Sequence, residues 1–151
     1  MTPVDLTSPD FEENGEIPVR GTCDGSNEPP ELHWSGVPAA VVELALTCED
    51  PDAPSGTFVH WVAWGIDPDT GTIGGPAGRP PHQGINGFGE IGYGGPCPPP
   101  GDPPHHYHFE LHGVAGRVDL PLGATIDDLR AAIEPSVVAT ATLTGVYRRR
   151  S

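Results

Sequence analysis

Asp50, His60, His105 and Tyr107 are the side chains of this sequence whose types and settings suit a shared chemistry. A carboxylate, two imidazoles and a phenol offer a small anion N–H and O–H donors, with an acid to orient one histidine and keep it protonated. The same set can act as general acid and base in a proton transfer such as isomerisation or cyclisation. Each residue stands where a structural one is out of place. Asp50 opens DPDAP, 50–54, which sets two carboxylates between prolines where a turn needs one. His60 interrupts the apolar run FVHWVAWGI, 58–66. His105 and Tyr107 extend the apolar face of HHYHFELHGV, 105–114, toward the start of that segment, where the loop GPCPPPGDPP, 95–104, delivers the chain. A polar pair at the end of an apolar face marks the mouth of a cavity. If the strands adjoin, all four groups converge there. Proline fixes φ, so proline-rich walls lose little entropy on ordering. Glycines such as Gly94 and Gly95 let backbone come close to a ligand.

The elements that must position these residues are mostly strands. VVELALTCE, 41–49, alternates, with Val42, Leu44, Leu46 and Cys48 on one face. The run 58–66 is apolar on both faces and reads as a central, doubly covered strand. On 105–114, His105, Tyr107, Phe109 and Leu111 share the core side, and His106, His108, Glu110 and His112 the other. Leu32 to Trp34 is a short strand, and 136–147 alternates as the last. ATIDDLRAAIE, 124–134, is the convincing helix, with a Thr125–Asp128 capping pair, an Ile126, Leu129 and Ile133 stripe, and Pro135 as its stop. Residues 1–31 read as polar loop. Residues 67–104 form a Gly/Pro region too long to be idle. The pattern predicts a mainly β, antiparallel sandwich over a single domain, 1–151, with one short helix near the C-terminus.

The 151 residues suffice for a full core, and the 21 glycines and 20 prolines fall between apolar segments, not in low-complexity runs. The net charge of −14, from 7 basic and 21 acidic side chains, repels phosphate backbones and anionic membranes, which argues against nucleic acid as a general partner and against stable membrane insertion. No run approaches the ~20 apolar residues of a spanning helix, and the N-terminus carries no secretory pattern. The expected location is therefore cytoplasmic, and Cys23, Cys48 and Cys97 read as reduced thiols. Ser elbow, P-loop and dinucleotide fingerprints are absent.

Two further constellations have residue types that could do chemistry. The stripe His106, His108, Glu110 and His112 has His-x-His spacing able to chelate Zn²⁺ or Ni²⁺, but the preferred reading is a solvated sheet face. Cys97 sits among prolines near His105 and could serve as a nucleophile; the preferred reading is a small residue filling a tight loop. No metal and no cofactor is expected.

The order and wording of several segments resemble the phosphatidylethanolamine-binding proteins, in the bacterial and archaeal branch also called Raf kinase inhibitor-like. The segments are IPVRGTCDG (17–25), PELHWSGVP (30–38), DPDAPSGTFVHWVAWGI (50–66), NGFGEIGYGGPCPPPG (86–101), HHYHF (105–109) and the closing LRAAIE…LTGVYRR. The resemblance implies a sandwich of a large and a small sheet. It also implies a surface pocket for phosphate, acetate and phospholipid headgroups, formed by Asp50, His60, His105 and Tyr107 and walled by Ala53, Pro54, Gly95, Pro98 and Pro99. A regulatory protein partner is a further expectation, and some members of the branch are dimers, so a homodimer is another. The chain departs from the family pattern in four places. His106 replaces the usual Arg between His and Tyr. His108, Glu110 and His112 replace Val, Thr and Tyr. Pro135–Ser136 follows the helix where Gly-His is common, and Gly87 follows Asn86 where Asp is common.

Overall fold

The computed structural model describes residues 1–150. Its strands are β1 (Thr2–Pro3), β2 (Asp5–Thr7), β3 (Gly15–Glu16), β4 (Leu32–Ser35), β5 (Glu43–Asp50), β6 (Phe58–Ile66), β7 (Thr72–Ile73), β8 (His82–Gln83), β9 (His105–Val114) and β10 (Val137–Tyr147). The α-helix among the described residues, α1, spans Ile126–Ile133. The large sheet has the order β1-β10-β9-β5-β6-β8, with β3 also on β10; the small sheet is β2-β4-β7. The long strands pair antiparallel, but β1 and β3 both pair parallel to β10. The expected antiparallel sandwich is thus mixed along one edge, where the first residues of the chain cover β10.

The large sheet is covered on both faces. On one side the small sheet brings Leu6, Leu32, Trp34 and Ile73 against Leu44, Leu46, Cys48, Trp61, Tyr107, Phe109 and Leu111. On the other, Ile126, Leu129 and Ile133 of α1 pack on Ala45, Val62, Trp64 and Val114. The helix begins as its sequence predicts: Thr125 Oγ1 accepts from Asp128 N–H and the Asp128 carboxylate accepts from Thr125 N–H.

Two expectations about strand position change. Strand β5 alternates in sequence yet is buried along nearly all its length, because β9 and β6 flank it and α1 covers its outer face. Val42 lies outside it and is 40% exposed. Strand β6 is covered on both faces as predicted but is not central, since only the two-residue β8 lies beyond it. The Gly/Pro region 67–104 holds β7, β8 and two 3₁₀ turns.

The cysteine expectation fails. Cys23 and Cys97 form a disulfide across 74 residues, with Cα atoms 5.4 Å apart, and Cys48 is the free, buried thiol. An odd cysteine count does not reveal which two will meet. The loop after 3₁₀ residues Val19–Gly21 does so, because Cys23 N–H donates to Pro96 O and draws the two segments together. With Cys97 in that bond, the nucleophile alternative is closed as well.

Candidate functional site

One hollow of about 200 Å³ opens at the end of the large sheet where β5, β6 and β9 meet. It is lined by Asp50, Ala53, Pro54, Phe58, His60, Phe88, Cys97, Pro98, Pro99, His105 and Tyr107. Eight of the nine residues singled out in the sequence line this hollow together. Gly95 does not: its N–H donates to Asn27 Oδ1 at 2.8 Å, and a Cβ there would lie 2.2 Å from Gly21 O. Gly94 is required for a related reason. A side chain there would strike the Phe88 ring at 2.4 Å. At both positions a side chain would collide with the protein's own atoms, which is what requires glycine there.

His60 reaches the hollow through an irregularity in the sheet. Cys48 pairs with Trp61 but Glu49 pairs with Val59, so His60 is an extra residue on β6. Such a bulge re-aims a side chain. The ring lies 5.1 Å from Tyr107 and 4.9 Å from Phe58, centroid to centroid. Its Nδ1–H donates to Gly94 O at 2.6 Å, which leaves Nε2 as the nitrogen available to a guest. Burial pulls the His60 pKa below the ordinary imidazole value, against the opposing pull of the Gly94 carbonyl and the Asp50 charge. Neutral His60 therefore presents an acceptor, and becomes a donor only if a guest brings a proton.

His105 is the opposite case. Its Nδ1 bonds Asp50 Oδ2 at 2.7 Å and its Nε2 bonds Asp102 Oδ2 at 3.1 Å. Two carboxylate partners require two N–H donors, the imidazolium form. Burial pushes its pKa down, but the hydrogen bonds and charges of Asp50 and Asp102 outweigh that and raise it overall. Asp50 is itself fixed, with Oδ1 accepting from Asp52 N–H at 2.7 Å. Tyr107 is 1% exposed and its Oη has no hydrogen-bond partner among the described residues. Burial, with the Asp50 charge added, drives its pKa far up, so the phenol stays a donor.

Sequence reasoning missed Phe58, Phe88 and Asp102. Phe58 and Phe88 pack edge to face at 4.8 Å beside His60 and give the hollow an apolar wall. Asn86 sets that wall: Oδ1 accepts from Phe88 and Glu90 N–H, and Nδ2 donates to Gly92 O. An aromatic inside a Gly-rich loop and an acid three residues before His105 were the available signals. On the other face of β9, the histidines find protein partners. His106 pairs with Asp52 at 2.8 Å, and His108 Nδ1 lies 2.8 Å from Thr144 Oγ1. No group of three or more His, Cys, Asp or Glu among the described residues is arranged to hold a metal.

The comparisons with known proteins agree with this architecture. The family model described as phosphatidylethanolamine-binding protein matches residues 7–148. A UPF0098 protein of Methanothermobacter thermautotrophicus is 46% identical over 145 residues, 92% of this chain and 95% of the relative. The putative lipoprotein LppC of Mycobacterium tuberculosis is 41% identical over 148 residues, 96% of this chain and 72% of the relative. Two crystal structures superpose closely. A putative phosphatidylethanolamine-binding protein homolog from Chlamydia trachomatis has a TM-score of 0.90 at 32% identity, covering 99% of each chain. YbcL of Escherichia coli, a member of the same family, has 0.89 at 31%, covering 97% of this chain and 99% of that one. By sequence and by fold, this chain belongs to the phosphatidylethanolamine-binding protein family, in its bacterial and archaeal branch.

Proposed function

We propose that the chain binds small anions of the phosphate type, free or as phospholipid headgroups, in the hollow between β5, β6 and β9, and that occupancy serves a regulatory role toward a protein partner. One observation carries the reading: the Tyr107 hydroxyl is buried, unpartnered and at the wall of a hollow that His105 and His60 also line. An unsatisfied buried hydroxyl costs ~1–3 kcal/mol. A phosphate oxygen there would recover that cost and gain a charge-assisted bond. His105 supplies the positive charge, and the free Nε2 of neutral His60 accepts the proton of a phosphate monoester monoanion. The Phe58–Phe88 wall suits the apolar portion of such an ester.

The hollow has a negative surround, with Asp50, Asp52 and Asp102 close by and a net chain charge of −14. Affinity is therefore expected to be modest and to depend on His105 keeping its proton. The disulfide bears on location, since such bonds persist in oxidising compartments and are rare in mesophile cytosol; it weighs against the cytoplasmic expectation. No helix among the described residues is long and apolar enough to cross a membrane.

Calorimetry with inorganic phosphate and phosphoethanolamine tests the reading. Wild type should bind, and His60→Ala and His105→Ala should each bind about tenfold more weakly, the worth of one lost bond of ~1.4 kcal/mol. Binding should fade as pH rises through the folded value of His105, which its two carboxylate partners hold above the ordinary imidazole value of ~6.5. Equal affinities for wild type and both variants would refute the assignment.

A further inference from the structure

His105 has two N–H groups, and the structure gives them unlike partners. Nδ1 is held by Asp50, whose side chain is 4% exposed, deep between β5 and β9. Nε2 is held by Asp102, whose side chain is 36% exposed on the loop that walls the hollow. The first bond belongs to the fold. The second occupies the N–H that a guest anion in the hollow would need. We propose that Asp102 is a tethered competitor of the ligand: its carboxylate takes the place of the anion on His105, and ligand entry displaces it. This inference rests on the anion-pocket reading above and names how that pocket is controlled.

The loop is built for such an exchange. Asp102 N–H donates to Pro99 O, and Gly101 N–H donates to Arg149 O on the chain leaving β10. Gly101 takes a φ of +85°, which a side chain would resist, and a Cβ there would meet nothing within 4 Å. Pro98, Pro99, Pro100, Pro103 and Pro104 stiffen the rest. The backbone is therefore anchored independently of the Asp102 carboxylate, which can swing toward solvent without unfolding the turn. The resident carboxylate is also an incomplete substitute. It satisfies His105 but leaves Tyr107 Oη without a partner, whereas a tetrahedral anion can present one oxygen to each. After displacement His105 still faces an anion on both nitrogens, so its charge remains paired throughout.

A competitor held in the protein lowers the apparent affinity for every ligand by one factor, the fraction of molecules whose His105 is free. General repulsion by a rim carboxylate acts differently, weighing more on a dianion than on a monoanion. Calorimetry at pH 7 with inorganic phosphate and with acetate separates the two. Asp102→Ala should bind both anions more tightly by a similar factor, about tenfold for one charge-assisted bond. Asp52→Ala strips a neighbouring carboxylate that contacts His106 and not His105, and should change either affinity by less than about twofold. Asp102→Asn serves as a second variant if Ala disturbs the turn. Three results would overturn the inference while leaving the pocket standing: Asp102→Ala equal to wild type, a gain for phosphate alone, or an equal gain from Asp52→Ala. If neither wild type nor variants bind either anion, the pocket reading itself falls.

Discussion

His105 and His106 are chain neighbours at the start of β9; His105 is paired with Asp50, the last residue of β5, and His106 with Asp52, two residues beyond it. His105 with Asp50 faces the sandwich interior, and the two side chains are 5% and 4% exposed. His106 with Asp52 faces out, at 48% and 42%. The sequence offers the same two residue types in the same order on both sides, and strand alternation alone sends them to different media. Inside, breaking the pair strands a charge in low dielectric; outside, water takes its place. Alternation along β9 thus puts one histidine–aspartate pair at the wall of a buried hollow and the next in water. The outer pair still has a local effect, since the hydrogen bond from the His106 ring holds the Asp52 carboxyl below its ordinary range.

The largest expected effect tests that contrast directly. Asp50→Ala should cost roughly 3–5 kcal/mol by leaving His105 buried with its inner charge uncompensated, while Asp52→Ala should cost about 0–1 kcal/mol, both by urea unfolding. Similar losses would mean that burial does not distinguish the faces. Next comes the disulfide, which ties the proline wall to the Cys23 loop on the inner side alone. Replacing Cys23 and Cys97 by serine should cost ~2–4 kcal/mol and raise amide exchange in 95–104 and 20–25, with little change in His106–His112. Uniform exchange across both regions would contradict this localisation.

Smaller again is the pH dependence. His105 binds its proton more tightly folded than unfolded, so its contribution is complete below ~6.5 and is lost as pH rises through the folded value. The stability difference between wild type and Asp50→Asn should therefore shrink as pH is raised above that point. His60, and His112 on the outer face, are pushed down by burial and act in reverse, weakening the fold as pH falls below the same value. An unfolding series from pH 5 to pH 9 reads both limbs. The least effect is expected from His106→Gln and His108→Gln, within about 0.5 kcal/mol of wild type; a loss above 2 kcal/mol would show that the outer face is structural.

Much of this arrangement was legible in the chain. Period-two alternation located β5, β9 and β10, the apolar run 58–66 located β6, the Thr125–Asp128 pair located the start of α1, and the polar pair at the head of an apolar face marked the hollow. What escaped has physical causes. Strands β1, β3, β7 and β8 have two residues each, too few to show a period, and exist only because β10, β4 and β6 offer partners. The bulge at His60 is a register slip between strands, invisible in either one alone. The Cys23–Cys97 pairing depends on two loops meeting across 74 residues. Asp102 reads as a turn residue until His105 is seen above it.

The central claim is that the inner end of β9 is built around a ligand and not only around the fold, and Tyr107→Phe tests it most directly. Removing an unpartnered buried hydroxyl should leave unfolding stability unchanged or slightly raised, while phosphate affinity measured on the same sample drops by about three- to tenfold. Stability lost with phosphate affinity intact would contradict the account, because the hydroxyl would then belong to the core and not to a guest.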